Sequence, residues 1–472
     1  METYLFYDIE TTGLNKAFDQ VLHFAAIRTD LNLNEINRYE LKIKLNPDVT
    51  PSPGALITHR ISMTETLAGV KEIDAMLQIH QWLNEPGTIS LGYNTLGFDD
   101  EFLRFSFYRN LLPPYTHQYA NQCKRMDLYP MTLMYYLFKN HVLQWPFLNE
   151  KRSLKLELIN HVNQFVAGRS HNAMVDVEVT LALARRFLQE KDMWDYLAGY
   201  FNKQIDLERI QKLPAEIENS LTQHREGLMI YGKFGSKDNY QAAVLYIGES
   251  GPYKNQQLWL RLDAPELRQT TAETIADTTW VVRKKAGEPP FILPLTERFL
   301  KDQNSHRQAQ ATANKAWIKQ NPELFQKIID YHVNFTYPYY PDTEIEAGLY
   351  LNGFWSADEM SFCRRFHQVL PAEKAVLAQN LTNPKLKILA IRLLGRNYPE
   401  VLSAEQKQDF DEYLQQVKSA ETTPLIDFKG NKRLSPQTAL RESNELRTTL
   451  TLDTAQKELL DELEIYLKAK LA

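Results

Sequence analysis

Asp8-Ile9-Glu10-Thr11-Thr12-Gly13 directly follows the apolar run Tyr4-Leu5-Phe6-Tyr7. In a strand, side chains two apart point to the same side, so Asp8 and Glu10 project together. Acids crowded on a buried strand repel one another and lose hydration, a cost that a bound cation removes. Their hard oxygens suit Mg²⁺ or Mn²⁺. A solvated pair of acids at a strand end is the ordinary alternative for an isolated D-x-E.

Two further passages carry chemistry. In Gly92-Tyr93-Asn94-Thr95-Leu96-Gly97-Phe98-Asp99-Asp100-Glu101 a strand ends at Gly92, a short loop carries Asn94, and a helix begins near Asp99. An acid there is commonly just a helix cap. In His171-Asn172-Ala173-Met174-Val175-Asp176 a loop enters a helix, with Asp176 in its first turns and His171 on the approach. An imidazole, with an ordinary pKa near 6.5, is suited to accept a proton at neutral pH. A lone histidine before a helix is otherwise a hydrogen-bonded structural residue.

The elements that must position these residues read as α/β over positions 1–190. Strand-like runs lie at Tyr4–Tyr7, Phe24–Ile27, Tyr39–Leu45 and Thr88–Gly92. Ser62-Met63-Thr64-Glu65 fits a capping box, and the spacing from Leu67 to Leu83 predicts one helix. Helical patterns also cover Asp100–Asn110, Asp127–Lys139 and Ala173–Glu190. This order predicts a mixed sheet with helices on its faces. Positions 191–345 read as a small antiparallel β-domain, with runs at Leu228–Phe234, Gln241–Ile247, Leu258–Leu262 and Thr279–Arg283. Positions 346–472 read as all-α, closing on a helix that opens at Asp453-Thr454-Ala455-Gln456.

Composition narrows the class. A chain of 472 residues predicts about three domains. A formal net charge of −5 excludes a protein that coats nucleic acid by bulk charge, though not one with a local basic groove. No apolar run approaches the roughly 20 residues of a membrane span, and no signal peptide precedes the first strand. Cys123 and Cys363 are too few for a disulfide framework. A cytoplasmic, monomeric protein without a membrane partner is expected.

Together, D-x-E on a first strand, N-x-x-x-F-D before a middle helix and H-x-x-x-x-D at a late helix resemble the DEDDh exonuclease superfamily. The resemblance implies a ribonuclease H-like exonuclease domain, with Asp8, Glu10, Asp99 and Asp176 as metal ligands and His171 as general base. Two Mg²⁺ ions, with Mn²⁺ as a substitute, would activate water and clamp the attacking and leaving oxygens of a phosphodiester. Asp8 would bridge the ions, Glu10 and Asp176 would complete the first, and Asp99 would hold the second directly or through water.

Passages in the first domain, among them Phe24-Ala25-Ala26-Ile27-Arg28-Thr29-Asp30 and Phe107-Tyr108-Arg109-Asn110, are similar to the bacterial exonuclease I family, as is Tyr350-Leu351-Asn352-Gly353-Phe354-Trp355-Ser356-Ala357-Asp358. That resemblance implies 3′→5′ degradation of single-stranded DNA to 5′-mononucleotides in DNA repair or recombination. It implies an exonuclease domain, an SH3-like β-domain and a helical C-terminal domain, the later two arching over the site. Arg104, Tyr115 and Lys155 match family contacts to the strand, with Lys155 in place of an arginine. Tyr119 replaces a family tryptophan and Leu133 a family arginine. The runs Arg283-Lys284-Lys285 and Arg364-Arg365 are candidate walls of the channel. Lys139, again replacing an arginine, and Tyr196 match positions that bind the acidic C-terminal tail of single-strand DNA-binding protein. All five candidate catalytic residues precede position 190, so some chemistry is expected to survive truncation there. The rivals are an RNA-trimming exonuclease and a silent homologue that only binds DNA ends.

Overall fold

A computed structural model describes residues 1–218, 223–300, 304–419 and 424–471. They group into two compact units interleaved along the chain. The first comprises Met1–Arg125, Val166–Leu181 and Pro338–Ala472, the second Met126–Phe165 and Ala182–Tyr337.

The first unit is built on a five-stranded mixed sheet in the order β3-β2-β1-β4-β5. Its strands are β1 (Thr3–Thr11), β2 (Val21–Thr29), β3 (Glu35–Lys42), β4 (Thr88–Leu91) and β5 (Lys124–Arg125). Strand β2 pairs antiparallel with β1 and β3, whereas β4 runs parallel to β1 and β5. Leu5, Tyr7 and Ile9 share a core with Met76, Ile79 and Leu83 of one helix and Phe102, Leu103 and Phe107 of another. Strand alternation therefore turns Asp8 and Glu10 to the opposite face.

The Ser62–Glu65 capping box is present, but the single helix expected over Leu67–Leu83 is two, Met63–Ala68 and Glu72–Leu83. Gly69 makes the break. A β-carbon there would lie 2.5 Å from the Ile43 carbonyl carbon, so the chain passes β3's exit where no side chain fits.

The helical C-terminal residues complete this unit through a buried ionic knot. Asp48 accepts from Arg396 Nε at 2.9 Å, Arg396 Nη2 at 2.6 Å, Arg433 Nη2 at 3.0 Å and Tyr413 OH at 2.8 Å. Burial alone would raise the Asp48 carboxyl, yet Arg396 and Arg433 hold it well below the usual range. Asp48→Ala takes the counter-charge from buried Arg433 and leaves buried Arg396 with Glu346 alone, and is expected to cost about 3–5 kcal/mol of stability. Thermal unfolding checks this; a melting temperature within about 2 °C of wild type would show that the knot is dispensable.

The second unit carries β6 (Phe147–Leu148) and β7 (Lys151–Arg152), a short hairpin, and six antiparallel strands: β8 (Ala215–Glu218), β9 (Gln223–Ile230), β10 (Gln241–Glu249), β11 (Gln257–Arg261), β12 (Val281–Lys284) and β13 (Phe291–Leu293). The larger sheet runs β12-β11-β10-β9-β13, with β8 on β9. Alternation splits β10: Ala243, Leu245 and Ile247 pack with Ile318, Phe325 and Ile329 of two helices. Ala242 and Val244 join a second core with Trp259 and Met229. The expected α/β class, antiparallel middle and helical end are all present.

One expected wall residue is misplaced. Lys284 is buried on the inward side of β12, paired with Asp206 at 2.7 Å, so it cannot face a strand of DNA. Among the described residues no helix is long and apolar enough to cross a membrane.

Candidate active site

Strand β4 stops at Leu91, opposite Phe6, which leaves the β1 amides beyond it without a strand partner on that side. Asp99 fills the gap: its Oδ1 accepts from the Ile9 amide at 3.2 Å, between Asp8 and Glu10. The turn that delivers Asp99 depends on Gly92, where a β-carbon would lie 2.5 Å from the Tyr7 carbonyl oxygen. Asn94, in the left-handed conformation at φ 66°, then reverses the chain into the Asp99–Arg109 helix.

Asp176 stands in the first turn of the Ala173–Leu188 helix. Its Oδ2 accepts from the His171 amide at 3.0 Å, and His171 itself is left-handed at φ 60° and exposed. A carboxylate oxygen of Glu10, one of Asp176 and a ring nitrogen of His171 all lie within 4.8 Å of one another. Three segments far apart in sequence thus bring Asp8, Glu10, Asp99, Asp176 and His171 together.

The electrostatics are those of acids without enough cations. Burial, then repulsion by Asp99, Glu10 and Asp176, raises the Asp8 carboxyl well above the usual carboxylate range. Burial, then Asp176 and Asp99, pushes Glu10 up to about 8, with Arg169 opposing. A carboxyl raised in this way keeps its proton in the folded chain where the unfolded chain has lost it. The stability Glu10 contributes without metal is therefore full below about 4.5 and is lost as pH rises to about 8. Glu10→Gln in EDTA is expected to gain on wild type across that window, by on the order of 2–4 kcal/mol. Parallel pH-dependent melts of the two proteins that stay the same distance apart would count against it.

Hard oxygen donors, mutual repulsion and raised pKa values fit divalent cations as the missing counter-charge. The residues present suit Mg²⁺ or Mn²⁺.

The expected strand contacts divide between the units. In the first, Arg104 is paired with Asp100 and lies over the Tyr115 ring at 5.7 Å. Asp100 also takes His117 at 2.8 Å and Arg125 at 2.7 Å, which fixes the start of the helix that carries Asp99. Tyr119 is 70% exposed. Phe354, 87% exposed, meets Tyr115 edge-on at 5.7 Å, an aromatic contact that no local spacing reveals. In the second unit Lys155 is solvent-facing beside Glu157 at 3.7 Å, and Leu133 is buried. Lys139 pairs with Glu190 at 2.8 Å, and Tyr196 lies under the Arg209 guanidinium at 4.1 Å.

The family model described as Exonuclease matches residues 5–184, and that described as Exonuclease I C-terminal domain matches residues 343–470. Exodeoxyribonuclease I of Escherichia coli (strain K12) is 27% identical over 436 residues, covering 88% of this chain and 90% of that protein. The crystal structure of E. coli exonuclease I in complex with a dA16 oligonucleotide aligns over 100% of both chains, with TM-score 0.84 and 24% identity. The zinc-ion-bound form of the E. coli enzyme with single-stranded DNA aligns equally fully, with TM-score 0.85 and 24% identity. The chain thus carries an exonuclease domain followed by an exonuclease I C-terminal domain, and is an exonuclease.

Proposed function

We propose that the chain is a Mg²⁺-dependent 3′→5′ exonuclease that degrades single-stranded DNA to 5′-mononucleotides, working in the cytoplasm as a monomer in DNA repair. The observation that carries this is the convergence of four acids and an imidazole from three segments on one face of β1. The relative solved with dA16 supports the substrate class, and the zinc-bound form supports a metal.

Asp8, Glu10, Asp99 and Asp176 would hold the metal, which when bound lowers the pKa of a bound water and offsets phosphate charge. The other tasks belong to the chain. His171 takes the proton of the attacking water on a ring nitrogen, and its exposed position gives that proton an exit to solvent. The amide bond to Asp176 fixes the left-handed turn that presents the ring. The Ile9 amide holds the Asp99 carboxylate against β1, between Asp8 and Glu10. Arg104, Tyr115 and Tyr119 with Lys155 are the proposed strand contacts, stacking bases and meeting phosphates. Lys139 and Tyr196 are the proposed seat for the acidic tail of single-strand DNA-binding protein. Positions 1–190, 191–345 and 346–472 would serve as exonuclease, SH3-like and helical domains.

Matched single-stranded DNA, duplex DNA and RNA, each labelled at the 5′ end, test the reading. The expected result is a ladder shortening from the 3′ end on single-stranded DNA alone, abolished by EDTA and restored by Mg²⁺ or Mn²⁺. Faster trimming of RNA than DNA would favour the rival ribonuclease instead.

A further inference from the structure

The loop before Asp176 carries a cation that the proposed chemistry has not used. Gly168, at φ 152°, folds the loop back so tightly that a β-carbon would lie 2.9 Å from Val175 Cγ2, in the first turn of the Ala173–Leu188 helix. The amide bond from His171 to Asp176 anchors the other end. Between these anchors stands Arg169, exposed and two residues from His171. Its Nη2 donates to the His59 carbonyl oxygen at 2.8 Å. Among the described residues Arg169 forms no ion pair, and it stands two residues from His171, a ring nitrogen of which lies within 4.8 Å of carboxylate oxygens of Glu10 and Asp176.

A guanidinium has five N–H donors, and one bond to a carbonyl leaves most of them free to meet an anion. A phosphodiester entering this site meets four carboxylates. Two divalent ions would only equal the four carboxylates in charge, so a phosphate lying against them would still leave one negative charge in excess. Arginine's planar fork matches two oxygens of one phosphate.

We propose that Arg169 is a further catalytic residue, donating to the non-bridging oxygens of the scissile phosphate and stabilising the charge that grows there during cleavage. In that step the water oxygen bonds to phosphorus and its proton passes to His171. The P–O3′ bond breaks with its electron pair on O3′, which takes a proton from solvent. Arg169 stays protonated throughout. This inference rests on the exonuclease reading above.

The test compares full-length wild type, Arg169→Ala and Arg169→Gln at saturating Mg²⁺ in single-turnover removal of a 3′ nucleotide. Gln keeps a donor for the His59 carbonyl but no charge. Both variants are expected to lose on the order of 10²-fold in rate, the scale of one lost transition-state donor. Their melting temperatures should match wild type, and added guanidinium should restore part of the Arg169→Ala rate. A rate within about threefold of wild type in both variants would overturn the inference. So would a loss in Arg169→Ala alone that follows a lower melting temperature and ignores guanidinium, because Arg169 would then only clamp the loop to His59. A wild-type chain inert on single strands overturns the parent reading, and the inference with it.

Discussion

Asp8→Ala at saturating Mg²⁺ is expected to retain less than about a thousandth of wild-type turnover, while its metal-free form melts at a higher temperature than wild type. Both effects have one origin. Asp8 lies on the open face of β1, and its carboxyl is raised by burial and by Asp99, Glu10 and Asp176 in turn. Metal ions repay that crowding when bound; without them it is a standing cost in the folded chain. On the proposed metal site, removing Asp8 takes one ligand from the cluster, and several kcal/mol of lost charge stabilisation corresponds to about 10³-fold or more in rate. The same change relieves the repulsion between Asp8 and the three remaining acids. Steady-state assays and melts in EDTA on one preparation check the pair of outcomes. Activity above about a tenth of wild type would sink the assignment of Asp8 to the metal site.

The second large effect concerns His171. Replacement by alanine is expected to slow turnover about 10²–10⁴-fold, the range for a lost acid–base group. Strand affinity should persist, because the proposed stacking and basic contacts lie on other segments. The exposed ring has little packing to lose. Its backbone, however, is left-handed, a conformation alanine adopts at some cost and asparagine tolerates well. His171→Asn therefore serves as the cleaner variant: equal loss of rate in both, with stability nearer wild type in Asn, identifies the imidazole as the working group. Near-normal turnover in His171→Asn would leave the residue a structural one.

Much of this site was legible because its determinants are local. Alternation in Tyr4–Glu10 places both acids on one face whatever the rest of the fold does, and the acid-rich turn at Asp99 and the loop-to-helix pattern at His171 announce themselves. Where a residue's role depends on distant partners, sequence spacing misleads. Lys284 sits in a basic run and reads as surface, yet strand alternation turns it inward onto Asp206, 78 positions away. Gly69 lies within a helical apolar pattern, but the backbone of Ile43 comes too close for that helix to continue. Arg169 carries no pattern at all; only the fold-back at Gly168 gives it an address. Asp48 was equally silent, since its partners lie 348 and 385 positions downstream.

That last separation sets a timetable. A ribosome adds about 5–20 residues per second, so Arg433 leaves it roughly 20–80 s after Asp48. For most of that interval Asp48 has neither guanidinium to meet, and the apolar faces of Leu22, Leu45 and Leu56 wait for Leu459, Leu463 and Leu467. A chain stopped near position 190 would hold all five candidate catalytic residues and still lack the groups that stabilise the unit around them. Partial nascent chains are thus expected to show only the residual chemistry foreseen for truncation near position 190, and the enzyme would acquire full activity only once its own translation is nearly finished.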